Sequence, residues 1–493
     1  MDKDTGTDHG QTNATTAEFL AAREATGPAP IPLWRVLLGY RADPLERWTR
    51  ISKEHGAVAR YRFALSDTFF LSSAEAARRV LQENPANYTK EHGSYKMLRR
   101  LFGNGLITSE GRFWLRQRRL AQPAFHRERI AAMGALMCAA AQETAAAWEG
   151  AAASGAVVSM AAEMSKLTLK IVGDALFGAA LSPRAAAVGE AWTILNRQLS
   201  ERFSQMRLLP PILPTRYDRE FRQARQTLID IVDSIIAERR SRGGAHHDLL
   251  AMFMSARDED TREQMTDHQL RDEVITMLLA GHETTAIALT WTFALLDRDR
   301  RVRARLHAEL AQVLGGRPPR SADYAALPYA RGVIAEALRL RSPVYIINRR
   351  VRENDVICGY RVYKGGSIVL SPLVLHRHPD YWDRPDDFLP ERWLDAEAEK
   401  RRPRFAYLPF SAGPRQCIGS AFSMMEAVLI LATLAQRFTA TLTTEQLPPP
   451  QYLVLARPAG EVAMRLHRRS ADEDDPQKDA RPGGVAEGEG RLV

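Results

Sequence analysis

One cysteine of this chain lies in a turn that could present a thiolate to a metal. Cys417 follows Phe410 by seven residues and Arg415 by two, and Gly413 and Gly419 flank it. The two glycines allow close backbone approach and unusual dihedral angles. The N–H groups of such a turn can stabilise a negatively charged sulfur. The alternative interpretation is a buried cysteine that acts as a small hydrophobic side chain.

A second stretch that could do chemistry interrupts the longest apolar run, residues 274–296, with Gly281, His282, Glu283 and Thr284. Glycine in a helix interior costs about 1 kcal/mol relative to alanine, and threonine hydroxyls can bond back to the preceding turn and bend a helix. We therefore expect a kink that opens a groove along the helix, with His282 as a groove or surface residue rather than a ligand. A buried polar group satisfied by its neighbours is the alternative.

Two further pairs have a spacing that places both members on one helix face. Trp114 and Arg118 lie one helical turn apart, and Glu336 lies three residues before Arg339. An indole N–H and an arginine fork can together bind a carboxylate. Taken alone, Trp114 could equally be a core aromatic residue, and an exposed Glu–Arg pair would contribute only about 0.5 kcal/mol.

The elements that must position these residues are mostly helical. Thr266 and Gln269 form a capping-box pattern that predicts a helix running to about Asp297. Another apolar helix should begin just after Gly419. Strand-like segments occur at 58–71, broken near residues 66–67, and at 344–370. The sequence therefore predicts a mainly α fold with a minor β portion.

Composition and charge bound the remaining possibilities. Of the 493 residues, 45% are hydrophobic, which is enough for a large core. The three cysteines are too few for a disulfide scaffold or for an all-cysteine iron–sulfur cluster, which needs four thiolates. The basic residues that give the net charge of +9 form no concentrated stripe or module typical of nucleic-acid binding, so the charge favours docking of an acidic protein partner. A polar N-terminus and the charges within the apolar run predict a cytoplasmic protein without a membrane anchor.

Taken together, these stretches resemble the cytochrome P450 family. Residues 410–419 fill every fixed position of its haem-binding signature, Phe-x-x-Gly-x-Arg-x-Cys-x-Gly. The resemblance covers roughly residues 30–467. The other motifs, in chain order, are the Trp-x-x-x-Arg pattern at Trp114 and Arg118, the acid–alcohol stretch at 280–285, the Glu-x-x-Arg pattern at Glu336 and Arg339, and the Pro-Glu-Arg segment ending at Arg392.

The resemblance implies a haem b cofactor (iron protoporphyrin IX), held between a long central helix and the cysteine-loop helix, with Cys417 as its axial thiolate. Thr284 would hydrogen-bond the bound dioxygen, and Glu283 would help to relay protons. A buried network of Glu336, Arg339 and Arg392 would lock the segment before the cysteine. The implied cofactor contacts are Trp114, Arg118, Arg349 (or its neighbour Arg350), Phe410, Gly413, Arg415 and Gly419.

Walls of a substrate pocket can be proposed by resemblance as well. They are mostly apolar, which suits a hydrophobic small molecule. The candidates are Phe102, Leu106, the segment Met206–Leu213, Ala280, Val344, Ile346 and Leu453.

The domain organisation follows from the extent of the resemblance and from the polar composition of both ends of the sequence. We expect a disordered segment at 1–26, a single haem-thiolate monooxygenase domain at 27–467, and a disordered polar tail at 468–493. The protein is expected to be a monomer.

The expected activity is the insertion of one oxygen atom from O₂ into a hydrophobic secondary metabolite, by hydroxylation or epoxidation. Electrons would come from a separate ferredoxin and its NAD(P)H-dependent reductase. The alternatives are a peroxide-driven haem-thiolate enzyme, a non-catalytic haem sensor, and a nucleic-acid-binding protein, which would explain only the charge.

Overall fold

The computed structural model describes residues 13–32, 43–63, 66–178, 181–204, 216–242 and 248–469. In chain order its helices are α1 (Thr16–Ala21), α2 (Pro44–His55), α3 (Ala74–Arg78), α4 (Gly93–Phe102), α5 (Gly111–Ala121), α6 (Arg127–Ser154), α7 (Met160–Phe177), α8 (Ala185–Ser204), α9 (Arg216–Arg242), α10 (Leu249–Ser255), α11 (Asp267–Arg298), α12 (Arg300–Leu314), α13 (Pro328–Leu340), α14 (Pro372–Leu375), α15 (Ala396–Arg401) and α16 (Ser420–Ala435).

The strands are short and few by comparison. They are β1 (Val58–Phe63), β2 (Ser66–Leu71), β3 (Tyr88–Thr89), β4 (Val157–Ser159), β5 (Ile347–Val351), β6 (Asp355–Ile357), β7 (Tyr360–Val362), β8 (Ser367–Leu370), β9 (Phe438–Leu442), β10 (Pro450–Tyr452), β11 (Ala456–Pro458) and β12 (Ala463–Arg468). The prediction of a mainly α fold with a minor β portion is confirmed.

The long helix α11 runs through the middle of the core and packs against α7, α9, α13 and α16. Its start is fixed by the predicted capping box: the Thr266 hydroxyl accepts the N–H of Gln269 at 3.3 Å, and the Gln269 side chain accepts the N–H of Thr266 at 2.9 Å. It ends one residue beyond the predicted Asp297. Its length lets one element carry side chains to several parts of the core.

Helix α16 begins at Ser420, directly after Gly419, as predicted, and is buried along most of its length. It packs against α6, α7 contacts α6 and α11 in turn, and these helices share one apolar cluster. Within the described residues, α6 is the one helix long and apolar enough to cross a membrane. Its contacts with α16, α7 and β12 identify it as a core helix.

The main sheet has five strands in the order β1-β2-β8-β5-β3. Strands β2 and β8 are parallel and the other pairs are antiparallel. A smaller sheet, β4-β12-β9, closes over the end of α6. The prediction of a break at residues 66–67 is wrong, because β2 includes both of them.

The predicted disorder of residues 1–26 is wrong for its second half. Helix α1 has its own capping box between Thr15 and Glu18. Arg361 donates to the carbonyl of Phe19 at 2.8 Å, and the N–H of Arg23 donates to Gly359 at 2.9 Å. These partners lie more than 300 residues away, so composition gave no sign of them. Residues 1–12 lie outside the described part.

The predicted C-terminal boundary also needs a small correction. Arg468 is the last residue of β12, and the N–H of Arg469 donates to the carbonyl of Arg437 at 2.9 Å. The remainder of the predicted tail, residues 470–493, lies outside the described residues.

Candidate active site

The cysteine turn is held by its own backbone. The N–H of Cys417 donates to the carbonyl of Phe410 at 3.0 Å, and that of Gln416 donates to Gly413 at 3.0 Å. Gly413 has a φ of +69°, and a Cβ atom there would lie 1.8 Å from the carbonyl oxygen of Leu81. No residue with a side chain fits this close approach, so Gly413 fixes the turn against the neighbouring backbone.

Cys417 is an accessible residue and is not packed into the apolar core. The residue is solvent-accessible, yet the surrounding chain desolvates it, and this burial raises the pKa of its thiol. The N–H of Gly419 and the guanidinium of Arg118 act in the opposite direction and lower that pKa. An accessible sulfur with donors aimed at it is suited to bind a metal as a thiolate.

Beside the turn, Arg415 is held in a partly buried position. It pairs with Glu110 at 2.9 Å, donates to the carbonyl of Ser109 at 2.9 Å, and lies 3.7 Å from the ring centre of Trp114. Burial lowers the pKa of Arg415 to about 10. Trp114 and Arg415, far apart in sequence, thus form one stacked pair.

Three more cations lie close to Arg415, and we call Lys90, Arg118, Arg349 and Arg415 the cationic cluster. Burial lowers the pKa of Lys90 well below its ordinary value, and the charges of Arg349 and Arg415 lower it further. Its ammonium donates to the carbonyl of Ile107 at 2.8 Å.

The arginines of the cluster are held by polar groups. Arg349 is 4% exposed and donates to the hydroxyl of Tyr95 at 3.1 Å, whereas Arg350 is only partly buried. Arg118 donates to the carbonyl of Gln416 at 3.0 Å.

The cationic cluster has too little negative charge around it. Among the described residues, the carboxylate that lies close to the cluster is that of Glu110. A buried excess of positive charge is costly unless anions compensate it. A haem b molecule carries two carboxylates and an iron that binds thiolate, so the residues present fit this group: the cluster and Trp114 would hold the carboxylates, and Cys417 would hold the iron.

Sequence reasoning missed Lys90 and Tyr95. Lys90 directly follows the two-residue strand β3, where a lysine is usually taken for a solvated loop residue. No local pattern marks it. It joins the other cations only because the fold brings β3, α5, β5 and the cysteine turn together.

The acid–alcohol stretch lies within the continuous helix α11. The expected kink at this stretch stays a prediction. The Thr284 hydroxyl donates to the carbonyl of Ala280 at 2.8 Å. Met277, Ala280 and Thr284 share one helix face and remain partly accessible, although most of α11 is buried. An accessible stripe inside the core indicates an internal space along this face.

The stretch lies against the first turns of α16. The hydroxyl of Thr285 is 3.0 Å from that of Ser423, whose N–H donates to the carbonyl of Gly419 at 2.8 Å. The acid–alcohol stretch and the cysteine turn are therefore connected through a single turn of helix.

Both carboxylate oxygens of Glu283 are engaged by α8. The indole of Trp192 donates to one oxygen at 2.9 Å, and the amide of Asn196 donates to the other at 3.0 Å. Sequence reasoning missed these two partners. They are four residues apart, which is a helical spacing, but no feature of α8 links it to α11 in advance.

The prediction that His282 is a groove or surface residue is wrong. Its side chain is 1% exposed and lies edge-on to Trp192, with ring centres 5.4 Å apart. One ring nitrogen is 3.2 Å from the carbonyl of Leu278, and burial lowers the pKa of the imidazole. The packing of α8 against this side of α11 covers the residue.

The predicted network forms beside α13, where Glu336 binds both Arg339 and Arg392. Glu336 and Arg339 are fully buried and joined by two hydrogen bonds of 2.8 Å. Arg392 donates to Glu336 at 3.1 Å, and the indole of Trp393 donates to it at 3.0 Å. Every oxygen of the Glu336 carboxylate is thus satisfied.

The other donors of Arg339 reach the irregular segment that precedes the cysteine turn. They bind the carbonyls of His376 at 2.8 Å, Pro385 at 2.6 Å and Asp387 at 2.9 Å. His376 in turn accepts the N–H of Leu408 at 2.8 Å, two residues before Phe410. A continuous set of hydrogen bonds therefore runs from α13 to the start of the turn.

The proposed pocket residues form two groups. Phe102 and Leu106 are buried beside α11, where the N–H of Leu106 donates to Glu273 at 3.0 Å. The segments containing Val344, Ile346 and Leu453 are joined because the hydroxyl of Tyr345 donates to the carbonyl of Leu453 at 2.7 Å. Ala280 lies on the accessible stripe of α11. The segment Met206–Leu213 lies outside the described residues.

With this geometry in place, the comparison with protein families is decisive. The family model described as Cytochrome P450 matches residues 26–464. The chain belongs to the cytochrome P450 family. It is therefore a haem-thiolate monooxygenase whose cofactor is haem b.

Individual relatives of this P450 agree with the family match. Cyclooctatin synthase of Streptomyces melanosporofaciens is 35% identical over 440 residues, which cover 88% of this chain and 94% of the relative. Pentalenene oxygenase of Streptomyces avermitilis is 32% identical over 451 residues, covering 90% and 97%. The crystal structure of the cytochrome P450DA heme domain superimposes with a TM-score of 0.82 at 27% identity, covering 92% of this chain and 100% of that one.

Proposed function

We propose that this P450 inserts one oxygen atom from O₂ into a terpenoid secondary metabolite, by hydroxylation or epoxidation. The relatives named cyclooctatin synthase and pentalenene oxygenase support the terpenoid class. The apolar candidates beside α11, Phe102 and Leu106, suit such a molecule.

The observation that carries the proposal is the connection between α11 and the cysteine turn through Thr285, Ser423 and Gly419. This connection supports an arrangement in which the accessible stripe of α11 and Cys417 face the same cofactor. When bound, haem b would supply the activation of O₂. The residues of this chain would bind its carboxylates, exclude bulk water and deliver protons.

We assign the proton delivery to Thr284 and Glu283. The Thr284 hydroxyl lies on the accessible stripe, where it can hold a proton donor close to the O₂ substrate. The side chain of Glu283 is 13% exposed, so its carboxylate can exchange protons with solvent. Hydrogen bonds from Trp192 and Asn196 orient the carboxylate.

Electrons would come from a separate acidic ferredoxin with its NAD(P)H-dependent reductase, in the cytoplasm. The net charge of +9 supports a basic docking surface for such a donor. Arg118 connects α5 to Gln416, the residue directly before the cysteine, so α5 would be part of that surface.

The test is a turnover assay with isotopically labelled O₂. Purified haem-loaded protein, a bacterial ferredoxin, its reductase and NADPH would be incubated with a panel of terpenoids, preselected by the spectral change that follows loss of the iron-bound water. We expect a product that carries one labelled oxygen atom. A product formed with peroxide alone and not with the ferredoxin system would favour the peroxide-driven alternative.

A further inference from the structure

The outer face of α5 carries four residues at helical spacing. Arg112, Leu115, Arg116 and Arg119 lie at positions i, i+3, i+4 and i+7, and hence on one face. Leu115 is 42% exposed, which is unusual for a large apolar side chain in this protein. The neighbouring edge of the helix contacts the cysteine turn through Arg118.

An acidic segment of the same chain lies along this face. We call residues 258–263 the acidic loop. Its Glu263 pairs with Arg116 at 3.2 Å, and its Asp260 pairs with Arg119. Arg116 also donates to the carbonyl of Gln264 at 3.0 Å. Two of the three arginines on the outer face of α5 are therefore already bound to carboxylates of their own chain.

The acidic loop is held in shape by Asp258, which is 3% exposed. One of its oxygens accepts the N–H groups of Thr261 at 2.9 Å and Asp260 at 3.2 Å, and its carbonyl accepts the N–H of Arg262 at 2.8 Å. The side chains of Asp260 and Glu263 are 72% and 68% exposed. The turn thus presents two solvated carboxylates to α5 without burying them.

We propose that the acidic loop competes with the electron donor for Arg116 and Arg119. This inference rests on the proposed function, because it takes the donor to be an acidic ferredoxin. The carboxylates of Asp260 and Glu263 are solvated and contribute little to stability, so a partner with several carboxylates can displace them at small cost. The competition weakens docking and speeds the release of the donor, which must bind twice because each turnover needs two electrons.

The experiment compares two charge-matched double variants with the wild type. Asp260→Asn with Glu263→Gln removes the two carboxylates that pair with Arg116 and Arg119. The control, Glu54→Gln with Asp230→Asn, removes two exposed carboxylates from α2 and α9 and changes the net charge equally. Haem content is checked in both. The dissociation constant for reduced ferredoxin, and the rate of haem reduction, are then measured as a function of ionic strength.

We expect the first variant to bind ferredoxin about three- to tenfold more tightly at low ionic strength. The difference should disappear at high salt, because screening removes surface electrostatics. The control should stay close to the wild type. Equal affinities of the two double variants at every ionic strength would overturn the proposal.

Arg119→Gln gives a second readout that a general charge effect would not produce. In the wild type this substitution should change ferredoxin affinity by less than about twofold, because Asp260 already occupies the guanidinium. In the variant without Asp260 and Glu263 the same substitution should cost most of the gained affinity. Equal losses in both backgrounds would contradict competition.

The outcomes separate this inference from the proposed function. A wild-type protein that dithionite reduces but that no acidic ferredoxin reduces would overturn both. A wild type that accepts electrons from ferredoxin, with unchanged behaviour of the loop variant, would overturn only the role of the acidic loop.

Discussion

Lys90 is the residue with the most unusual environment in the site. Its ammonium is desolvated and surrounded by arginines, and its pKa is lowered well below its ordinary value. Such a group is stable as a cation only when anions lie close to it. Its position among the residues that would hold the cofactor's carboxylates supplies that reason.

Lys90→Met should weaken haem retention. Loss of a charged donor from a buried contact costs about 1.5–3 kcal/mol, which corresponds to about a tenfold to hundredfold faster transfer of haem to an acceptor protein. Lys96→Met, at an exposed position of α4, is the matched control and should behave as the wild type. Equal transfer rates for the two variants would exclude Lys90 from cofactor binding.

Thr284→Ala should keep the haem and separate electron consumption from product formation. Without the hydroxyl, reducing equivalents should appear as hydrogen peroxide, measured as the ratio of product to NAD(P)H consumed. Thr292→Ala on the same helix removes an equivalent hydroxyl-to-carbonyl bond of 2.8 Å away from the stripe, and should leave the ratio unchanged. Unchanged coupling in Thr284→Ala would remove Thr284 from the mechanism.

At the scale of elements, the Glu336–Arg339 pair connects α13 to the segment that leads to the cysteine turn. Both residues are fully buried, and all their charged atoms are paired with each other or with carbonyls. The pair therefore connects these elements. Loss of Arg339 would remove one of the two arginines that pair with the buried Glu336 carboxylate, and it would leave the carbonyls of the preceding segment without this donor.

Arg339→Ala should cost about 3–5 kcal/mol of folding free energy. We expect insoluble protein, or soluble protein without haem, measured as soluble yield and haem per chain. Arg78→Ala removes an arginine whose side chain is 55% exposed and serves as the control. Soluble Arg339→Ala with a full complement of haem would show that the network is dispensable.

At the scale of the whole molecule, one buried acid gives stability a distinct dependence on pH. Glu273 is 1% exposed, and burial raises the pKa of its carboxyl from 4.5 to about 8. Between these values the unfolded chain releases a proton that the folded chain keeps. The free energy of unfolding therefore falls as pH rises, by at most about 1.4 kcal/mol per pH unit.

Glu273→Gln should remove this slope and still accept the N–H of Leu106. Unfolding measured between about pH 5 and about pH 8 should show a stability advantage of the variant that grows with pH. Glu397→Gln, on the exposed side of α15, should differ from the wild type by a constant amount. A constant difference for Glu273→Gln as well would mean that this carboxyl is ionised in the folded protein.

The whole molecule also shows which features a sequence can reveal. The cysteine turn, the acid–alcohol stretch and the Glu336–Arg339 pair are contiguous patterns, because one turn or one helix face must carry each chemical role. Lys90 and Trp192 are not visible in this way, since they meet their partners only after distant elements pack. The order at residues 13–26 was missed for the same reason.

The same limit explains the errors made within recognised motifs. Spacing alone left Arg349 and Arg350 as alternatives for the cofactor contact, and the burial of Arg349 on β5 supports Arg349. His282 was placed on a surface because the packing of α8 against α11 is a tertiary fact that the apolar pattern of α11 does not contain.

The most direct test of the account is the absorption spectrum of the reduced protein after treatment with carbon monoxide. Thiolate ligation by Cys417 predicts the far-red-shifted band of haem-thiolate proteins. The band should persist in Cys138→Ser and Cys358→Ser and disappear in Cys417→Ser. A fully haem-loaded wild type without the shifted band, or a Cys417→Ser variant that keeps it, would contradict the central claim.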